Sequence, residues 1–500
     1  MLLIGGAMSY RHKNLALPFA ILATLSAPSS EASALTSGIA NTESNVSQTA
    51  AINALNERLA RLEKYLGAQE EPAVADTEAQ QQVTTLEQRL LVLERKLELQ
   101  QEEASTKADS TPLITLNEKG LSAKSASGDF EIKLKGLIQA DQRLFFDDDA
   151  VPFNDSFLFR RIRPTIEGSF GSLIGFRLTP EFAGDSATIV DAYVDIKFNP
   201  AYTLRVGKVK GPIGLERLQS GSAIALIERA FPTELAPNRE LGIQLQGELA
   251  ASRVNYVVGV YNGAPDGRDD STSDADDNFE YAGRIFFEPW KNDANALSGL
   301  GFGVAASIGV KEGAGNNFLP RYRTPGQNIF FNYRSTILAD GEHFRLSPQA
   351  YYYRNAFGLQ AEYIQSKQEL LVTGIPASRI DLNNRAWQAT GSWVLTGEDA
   401  GYRGVAKPNA PFHSTGEGWG AFELVARYGE LDIDDDAFPV YANLSTAASK
   451  ATSWSVGLNW YLNSNLKLVL NHTNTQFDGG AVGGDREDEK TLFSRVQLSF

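Results

Sequence analysis

Thr491-Leu492-Phe493-Ser494-Arg495-Val496-Gln497-Leu498-Ser499-Phe500 reads with a period of two. Leu492, Val496, Leu498 and Phe500 fall on one face, and Arg495, Gln497 and Ser499 on the other. Successive side chains of an extended strand point to opposite sides, so this predicts a strand with one apolar and one polar face. The pattern recurs. Trp454, Val456, Leu458, Trp460 and Leu462 alternate with Ser453, Ser455, Gly457, Asn459 and Tyr461, and Phe422, Leu424, Ala426 and Tyr428 alternate with Glu423, Val425, Arg427 and Gly429. In a soluble sandwich the apolar face would meet a core. In a membrane barrel it meets lipid while the polar face lines a lumen. Segments of about ten to thirteen residues match a tilted crossing of the bilayer. Aromatics near segment ends (Tyr281 and Trp290, Trp454 and Tyr461) and connections that alternate short and long also favour the barrel.

Extended over residues 129–500, this reading predicts sixteen strands. They run near 130–145, 157–169, 174–182, 188–198, 203–210, 240–249, 254–262 and 279–290, then 300–310, 343–354, 357–368, 385–397, 419–432, 451–463, 466–477 and 489–500. Segment 328–338 could form a further strand but is placed in a long loop. An even count puts both barrel ends on one side, with short links such as Gly171-Ser172, Pro200-Ala201 and Ser464-Asn465 in the periplasm. One connection departs from the rule: Glu398 to Gly418 is long yet falls on the short-link side. The fold expected is an all-β, sixteen-stranded antiparallel transmembrane β-barrel with a short N-terminal periplasmic coiled coil.

Ahead of the barrel the composition changes. Arg11, His12 and Lys13, the apolar Leu15–Leu25 and the small residues Ala32-Ser33-Ala34 form an export signal over 1–34, with Met8 an alternative start to Met1; the alternative is a buried helix of the mature fold. In 35–105, Ile52, Leu55, Leu59, Leu62 and Leu66 are spaced 3, 4, 3, 4, and Val83, Leu86, Leu90, Leu93 and Leu97 repeat that spacing. These are two a/d seams, broken in phase around Pro72. Short helices need a partner to bury such a stripe, either copies of themselves or the rest of the chain. Residues 106–128, rich in Ser, Thr, Ala and Lys, read as a linker.

The totals narrow the function. A net charge of −15 excludes non-specific nucleic-acid binding, and the absence of cysteine removes disulfides and thiolate metal sites. Beyond the export signal only His343, His413 and His472 remain, without metal-ligand spacing. No nucleophile elbow or phosphate-cradling glycine loop is present. No catalytic residue, metal or cofactor is expected. The predicted outer loops 147–155, 264–278, 432–438 and 478–489 hold 19 acids against two bases, which leaves the rest of 129–500 net positive. Such loops offer oxygen ligands for divalent cations bridging to lipopolysaccharide, or are simply solvated.

Several motifs in order resemble the phosphate-selective porin O/P family. Phe130-Glu131-Ile132-Lys133-Leu134-Lys135-Gly136 opens the barrel, and Arg160-Arg161-Ile162-Arg163-Pro164-Thr165-Ile166-Glu167-Gly168 follows. Next come Asp191-Ala192-Tyr193-Val194-Asp195 with Leu204-Arg205-Val206-Gly207-Lys208, then Trp387-Gln388-Ala389 with Leu395-Thr396-Gly397-Glu398, and Glu423-Leu424-Val425-Ala426-Arg427-Tyr428. The resemblance spans essentially all of 129–500, and Phe500 resembles the C-terminal signal of outer-membrane assembly. It implies a homotrimer in the outer membrane, in contact with its lipid and lipopolysaccharide, that passes small anions such as phosphate or polyphosphate. It also implies a third outer loop folded into the lumen, here Gly211–Glu240. The apolar Leu215, Leu218, Ile224, Leu226, Ile227 and Phe231 of that loop suit an inner wall. Lys210-Gly211-Pro212-Ile213-Gly214 departs from the family, which commonly has an aromatic at the isoleucine.

Arginine donates two parallel hydrogen bonds to phosphate and stays charged, so lumen arginines favour anions. By strand parity Arg161, Arg163, Arg177, Arg205, Arg284 and Arg427 form a lumen ladder. Lys210, Arg217, Arg229 and Arg239 are expected at the constriction. Acids of the same parity, including Glu167, Glu181, Asp191, Asp195 and Glu423, are available to neutralise the ladder. Two other functions stay open: a general diffusion porin without phosphate preference, and an envelope tether acting through the coiled coil.

Overall fold

The computed structural model describes residues 57, 60, 61, 64, 77–146, 153–270, 276–405 and 407–500. The export signal and all five apolar residues of the first heptad seam lie outside them. The chain divides into two compact units, 1–99 and 100–500. Helix α1 (Thr77–Ser110) carries the second seam, with Val83, Leu86, Leu93 and Leu97 exposed along it. Among the described helices none is long and apolar enough to cross a membrane.

The stretch read as a linker is not one throughout. Its first residues complete α1, and β1 (Leu113–Asn117) and β2 (Gly120–Lys124) then form a hairpin, with β2 paired to the first barrel strand from Leu121↔Leu134 to Lys124↔Glu131. Asn117 Oδ1 accepts the Lys119 N–H at 2.9 Å, and Gly120 takes a φ of 100°, which together shape the turn. Two five-residue strands are too short to show a period, and their third strand comes from the barrel.

The remaining strands are β3 (Phe130–Phe145), β4 (Ser156–Phe170), β5 (Ile174–Glu181), β6 (Thr188–Asn199), β7 (Tyr202–Val209), β8 (Glu240–Leu249), β9 (Val254–Tyr261), β10 (Glu280–Phe287) and β11 (Leu300–Ala314). They continue as β12 (Arg321–Arg323), β13 (Ile329–Asn332), β14 (Ile337–Arg354), β15 (Phe357–Val372), β16 (Ile375–Val394), β17 (Ala421–Asp432), β18 (Ala448–Tyr461), β19 (Leu466–Ala481), β20 (Gly484–Asp485) and β21 (Glu489–Ser499). Sixteen of them, β3–β11, β14–β19 and β21, pair antiparallel with their neighbours. β21 closes on β3 from Thr491↔Phe145 to Ser499↔Leu137, and Phe500 and Gly136 then exchange backbone hydrogen bonds at 3.0 and 2.9 Å. Closure leaves no unpaired edge in the wall, the condition for a sheet to sit in lipid.

All sixteen predicted strands are present, with β14, β15 and β16 longer at the loop end than expected. The alternation sorts as the barrel requires. On β17, Leu424 and Tyr428 are 44% and 45% exposed, while Glu423 and Arg427 are buried. Residues 328–336 belong to the connection between β11 and β14, which contains the small β12–β13 hairpin, while Ile337 and Leu338 open β14. The long connection between β16 and β17 does lie at the short-turn end, and it folds inward: Ala400 and Val405 pack with Val394, Ala421 and Tyr461. The largest apolar core of the barrel unit lies inside the lumen. There Ile213, Phe231 and Leu235 meet Tyr322, Phe330 and Phe331 against Ile364, Leu382 and Leu431 of the wall.

Candidate functional site

Residues 210–239, between β7 and β8, cross the lumen. Gly214, at φ 84°, turns the chain into the single-turn helix α2 (Leu215–Leu218), and a 3₁₀ turn follows at Phe231–Leu235. Ile213, Leu215, Ile224, Leu226, Ile227 and Phe231 are buried and Leu218 partly so, in keeping with the inner-wall role expected of their hydrophobicity. Wall side chains capture the backbone of this loop. Glu362 accepts the Leu215 and Glu216 N–H groups at 2.6 and 3.2 Å, and Asn471 accepts Ile227 N–H at 3.1 Å. Gln139 and Asn459 donate to Gly221 and Ala225 carbonyls at 3.0 and 2.9 Å. Glu228 joins Arg143 and Arg160 at 2.8 and 2.6 Å, and Glu216 pairs with Arg427. A buried charge is tolerable only when so compensated.

The four expected constriction bases lie on this loop and are held mostly by neutral oxygens. Lys210 Nζ donates to the Leu218 and Gln219 carbonyls at 3.0 and 2.6 Å. Arg229 donates to the Glu216 and Gln219 carbonyls at 3.1 and 2.8 Å. Arg217 reaches Thr233 O at 2.5 Å and Asn238 Oδ1 at 2.8 Å. Arg239 reaches the same Asn238 oxygen at 2.7 Å and, among the described residues, is the one of the four with a carboxylate at ion-pair distance, Asp191 at 3.0 Å. Burial, reinforced by Arg239 and Arg229, pushes the Lys210 ammonium well below the ordinary lysine range.

The predicted ladder divides. Arg163 and Arg205 pair with Glu181 and Asp195, each at 2.6 Å, and Arg427 with Glu216. Arg177 stands 3.9 Å from Glu167. Arg161 and Arg284 have only amide oxygens as side-chain partners, Gln139 at 2.6 Å and Gln349 at 3.1 Å. Arg284 also lies over the Phe286 ring. Arg161 and Arg427 are buried against the loop, whereas Arg163, Arg177, Arg205 and Arg284 line open space.

That space is a cavity of about 510 Å³ on the β3–β10 side of the loop. Its lining includes Lys135, Lys210 and Arg239 besides those four arginines, with Asp191 the one lining carboxylate. A second cavity, of about 450 Å³, is lined by Arg160, Arg217, Arg229, Arg268 and Arg323 against Glu228, Glu234 and Asp269. Arg160, Arg268 and Arg323 are absent from the sequence-based set. Pairing shifts between Gln139↔Arg161 and Ala140↔Phe159, so Arg160 is bulged and turns inward beside Arg161 despite its parity. The pair of adjacent arginines was the one available hint. Arg268 and Arg323 come from other loops. Tyr402, on the inward β16–β17 connection, donates to Leu215 O at 2.5 Å and stacks on Tyr351.

The profile of the family described as phosphate-selective porin O and P matches residues 132–500. Porin O of Pseudomonas aeruginosa is 23% identical over 430 residues, covering 78% of this chain and 93% of that one. A Caulobacter vibrioides protein is 25% identical over 406 residues, 76% of each chain. Among solved structures, the outer-membrane channel DcaP of Acinetobacter baumannii superposes with a TM-score of 0.49 at 12% identity, covering 75% of this chain and 99% of that one. With the family profile running along the whole closed barrel, the chain belongs to the phosphate-selective porins O and P, channels of the outer membrane.

Proposed function

We propose that the barrel is a passive pore for small anions, phosphate or polyphosphate among them, with its selectivity set where the crossing loop narrows the lumen. The observation that carries this reading is the company of the constriction bases. Lys210, Arg217 and Arg229 donate to neutral oxygens, which orient a cation without cancelling its charge, and among the described residues Arg239 alone of the four has a carboxylate partner. In a confined lumen two unit charges 4 Å apart interact by roughly 4 kcal/mol, against about 1 kcal/mol in bulk water. Arg284, which lines open space beside an amide oxygen and a ring, extends the same field, and the description of the family agrees with it. Single channels in planar bilayers test this. The reversal potential in a potassium chloride gradient should report anion preference, and added phosphate should lower the chloride current. A cation-selective pore would sink the reading.

A general diffusion porin is favoured by the in-wall neutralisation of Arg163, Arg205 and Arg427. It predicts a reversal potential with little or no anion preference, and no effect of phosphate on the chloride current. The exposed seam of α1 supports self-association in the periplasm, and a homotrimer gives three such helices one another as partners. As an envelope tether, the same helix would change envelope integrity on deletion but not conductance.

A further inference from the structure

Asn238 links residues that line the two cavities. Its Oδ1 accepts from Arg217, which lines one cavity, at 2.8 Å, and from Arg239, which lines the other, at 2.7 Å. Its Nδ2 donates to Asp269 Oδ1 at 2.6 Å. The backbone pins it as well: Asn238 N–H donates to Arg268 O at 2.7 Å, and Arg239 bridges to Asp269. With two guanidinium donors on one side and a carboxylate acceptor on the other, only one orientation of the amide satisfies all three contacts. The amide therefore works as a polarity spacer. It shows an oxygen to the arginines and N–H to the acid, and so occupies the place from which Asp269 would otherwise pair with a guanidinium and cancel its charge.

We propose that Asn238 is a specificity-determining residue of the pore: it holds Arg217 of one cavity lining and Arg239 of the other on a single neutral oxygen, which a passing oxyanion displaces, and so adds no carboxylate to either. This rests on the anion-pore reading. A carboxamide oxygen attracts a guanidinium far less than a carboxylate does, so an anion can replace it, whereas a carboxylate in its place would compete. Asp191 already occupies the other side of Arg239 at 3.0 Å, so Asn238 decides whether that arginine meets one carboxylate or two.

The test compares Asn238→Asp and Asn238→Ala with wild type in planar bilayers, after heat-modifiable migration on gels has shown each barrel folded. N238D is nearly isosteric but brings a charge. It is expected to lower the anion-to-cation permeability ratio roughly tenfold, with recovery as the new carboxylate is protonated at acid pH. N238A removes the oxygen without adding charge and should keep anion preference while changing conductance. A purely structural role predicts that both variants disturb selectivity alike, and that outcome overturns the assignment, as does an N238D pore with wild-type preference. A wild-type pore without anion preference overturns the underlying reading instead.

Discussion

At the scale of single residues, what separates the constriction from the wall is the partner each cation has. Lys210 is the informative case because, unlike its guanidinium neighbours, it can lose its charge. A base whose pKa is depressed is charged below that pKa and neutral above it. Burial and the repulsion of Arg239 and Arg229 lower that of Lys210. Anion preference should therefore be strongest at acid pH and decline as pH rises, in a window below the usual lysine value of 10.5. Lys210→Arg should flatten the profile, and reversal potentials across a pH series measure both. An equally sloped profile in K210R would remove Lys210 from the constriction. Glu228 gives a second prediction. Buried between Arg143 and Arg160, it is held ionised because those two cations outweigh the cost of its burial. Glu228→Gln strands both guanidiniums, and removing one partner of a buried pair costs about 3–5 kcal/mol. The loop should loosen, seen as noisier single-channel current in a barrel that still folds.

Among elements, the crossing loop and the β16–β17 connection act as one unit. The sheet register sets the strand ends, but the loop is placed by contacts that reach it from wall strands including β3, β15, β17, β18, β19 and β21, and by the stack of Tyr402 on Tyr351. Gln219 Nε2 returns a bond to Tyr402 O at 2.7 Å, so the short-turn end braces α2 directly. Tyr402→Ala removes the hydroxyl bond to Leu215 and the ring stack. Single-channel conductance should rise with selectivity little changed, since no charge is lost. An unchanged conductance would show that the wall contacts suffice. Replacing all four loop bases at once is a poor test by comparison. Their hydrogen bonds close the loop on itself, so single substitutions separate charge from shape.

For the whole molecule the question is which field wins: the acidic outer loops or the basic constriction. Exposed charges more than about 8 Å apart are largely screened at physiological ionic strength, while groups facing each other across a dry neck are not. The pore should remain anion-selective when outer acids such as Asp485, Glu487 and Asp488 are replaced by their amides, with any difference appearing only at low salt. Loss of selectivity at physiological salt would move the filter to the rim. Assembly is the second question at this scale. Mass measurement in mild detergent should give a trimer, and deletion of 35–110 shows whether α1 or the barrel holds it together. A monomeric wild type would rule out the homotrimer.

Period-two alternation determined the strands, because each carries its own record of which face is apolar; segment length, aromatics at segment ends and the alternation of short and long connections then chose a membrane barrel over a sandwich. The heptad seam of α1 was legible for the same reason. Parity also placed Arg163, Arg177, Arg205 and Arg284 in the lumen. It could not say that Arg163 and Arg205 would meet carboxylates, since that depends on cross-strand register. It left out Arg160, because a bulge, whose only trace in the sequence is the pair of adjacent arginines, shifts parity by one. The β1–β2 hairpin escaped notice because its partner strand is supplied from outside it. Asn238 and Tyr402 were unreadable for a deeper reason: their roles lie entirely in contacts between segments far apart in sequence, which only the folded chain brings within hydrogen-bonding distance.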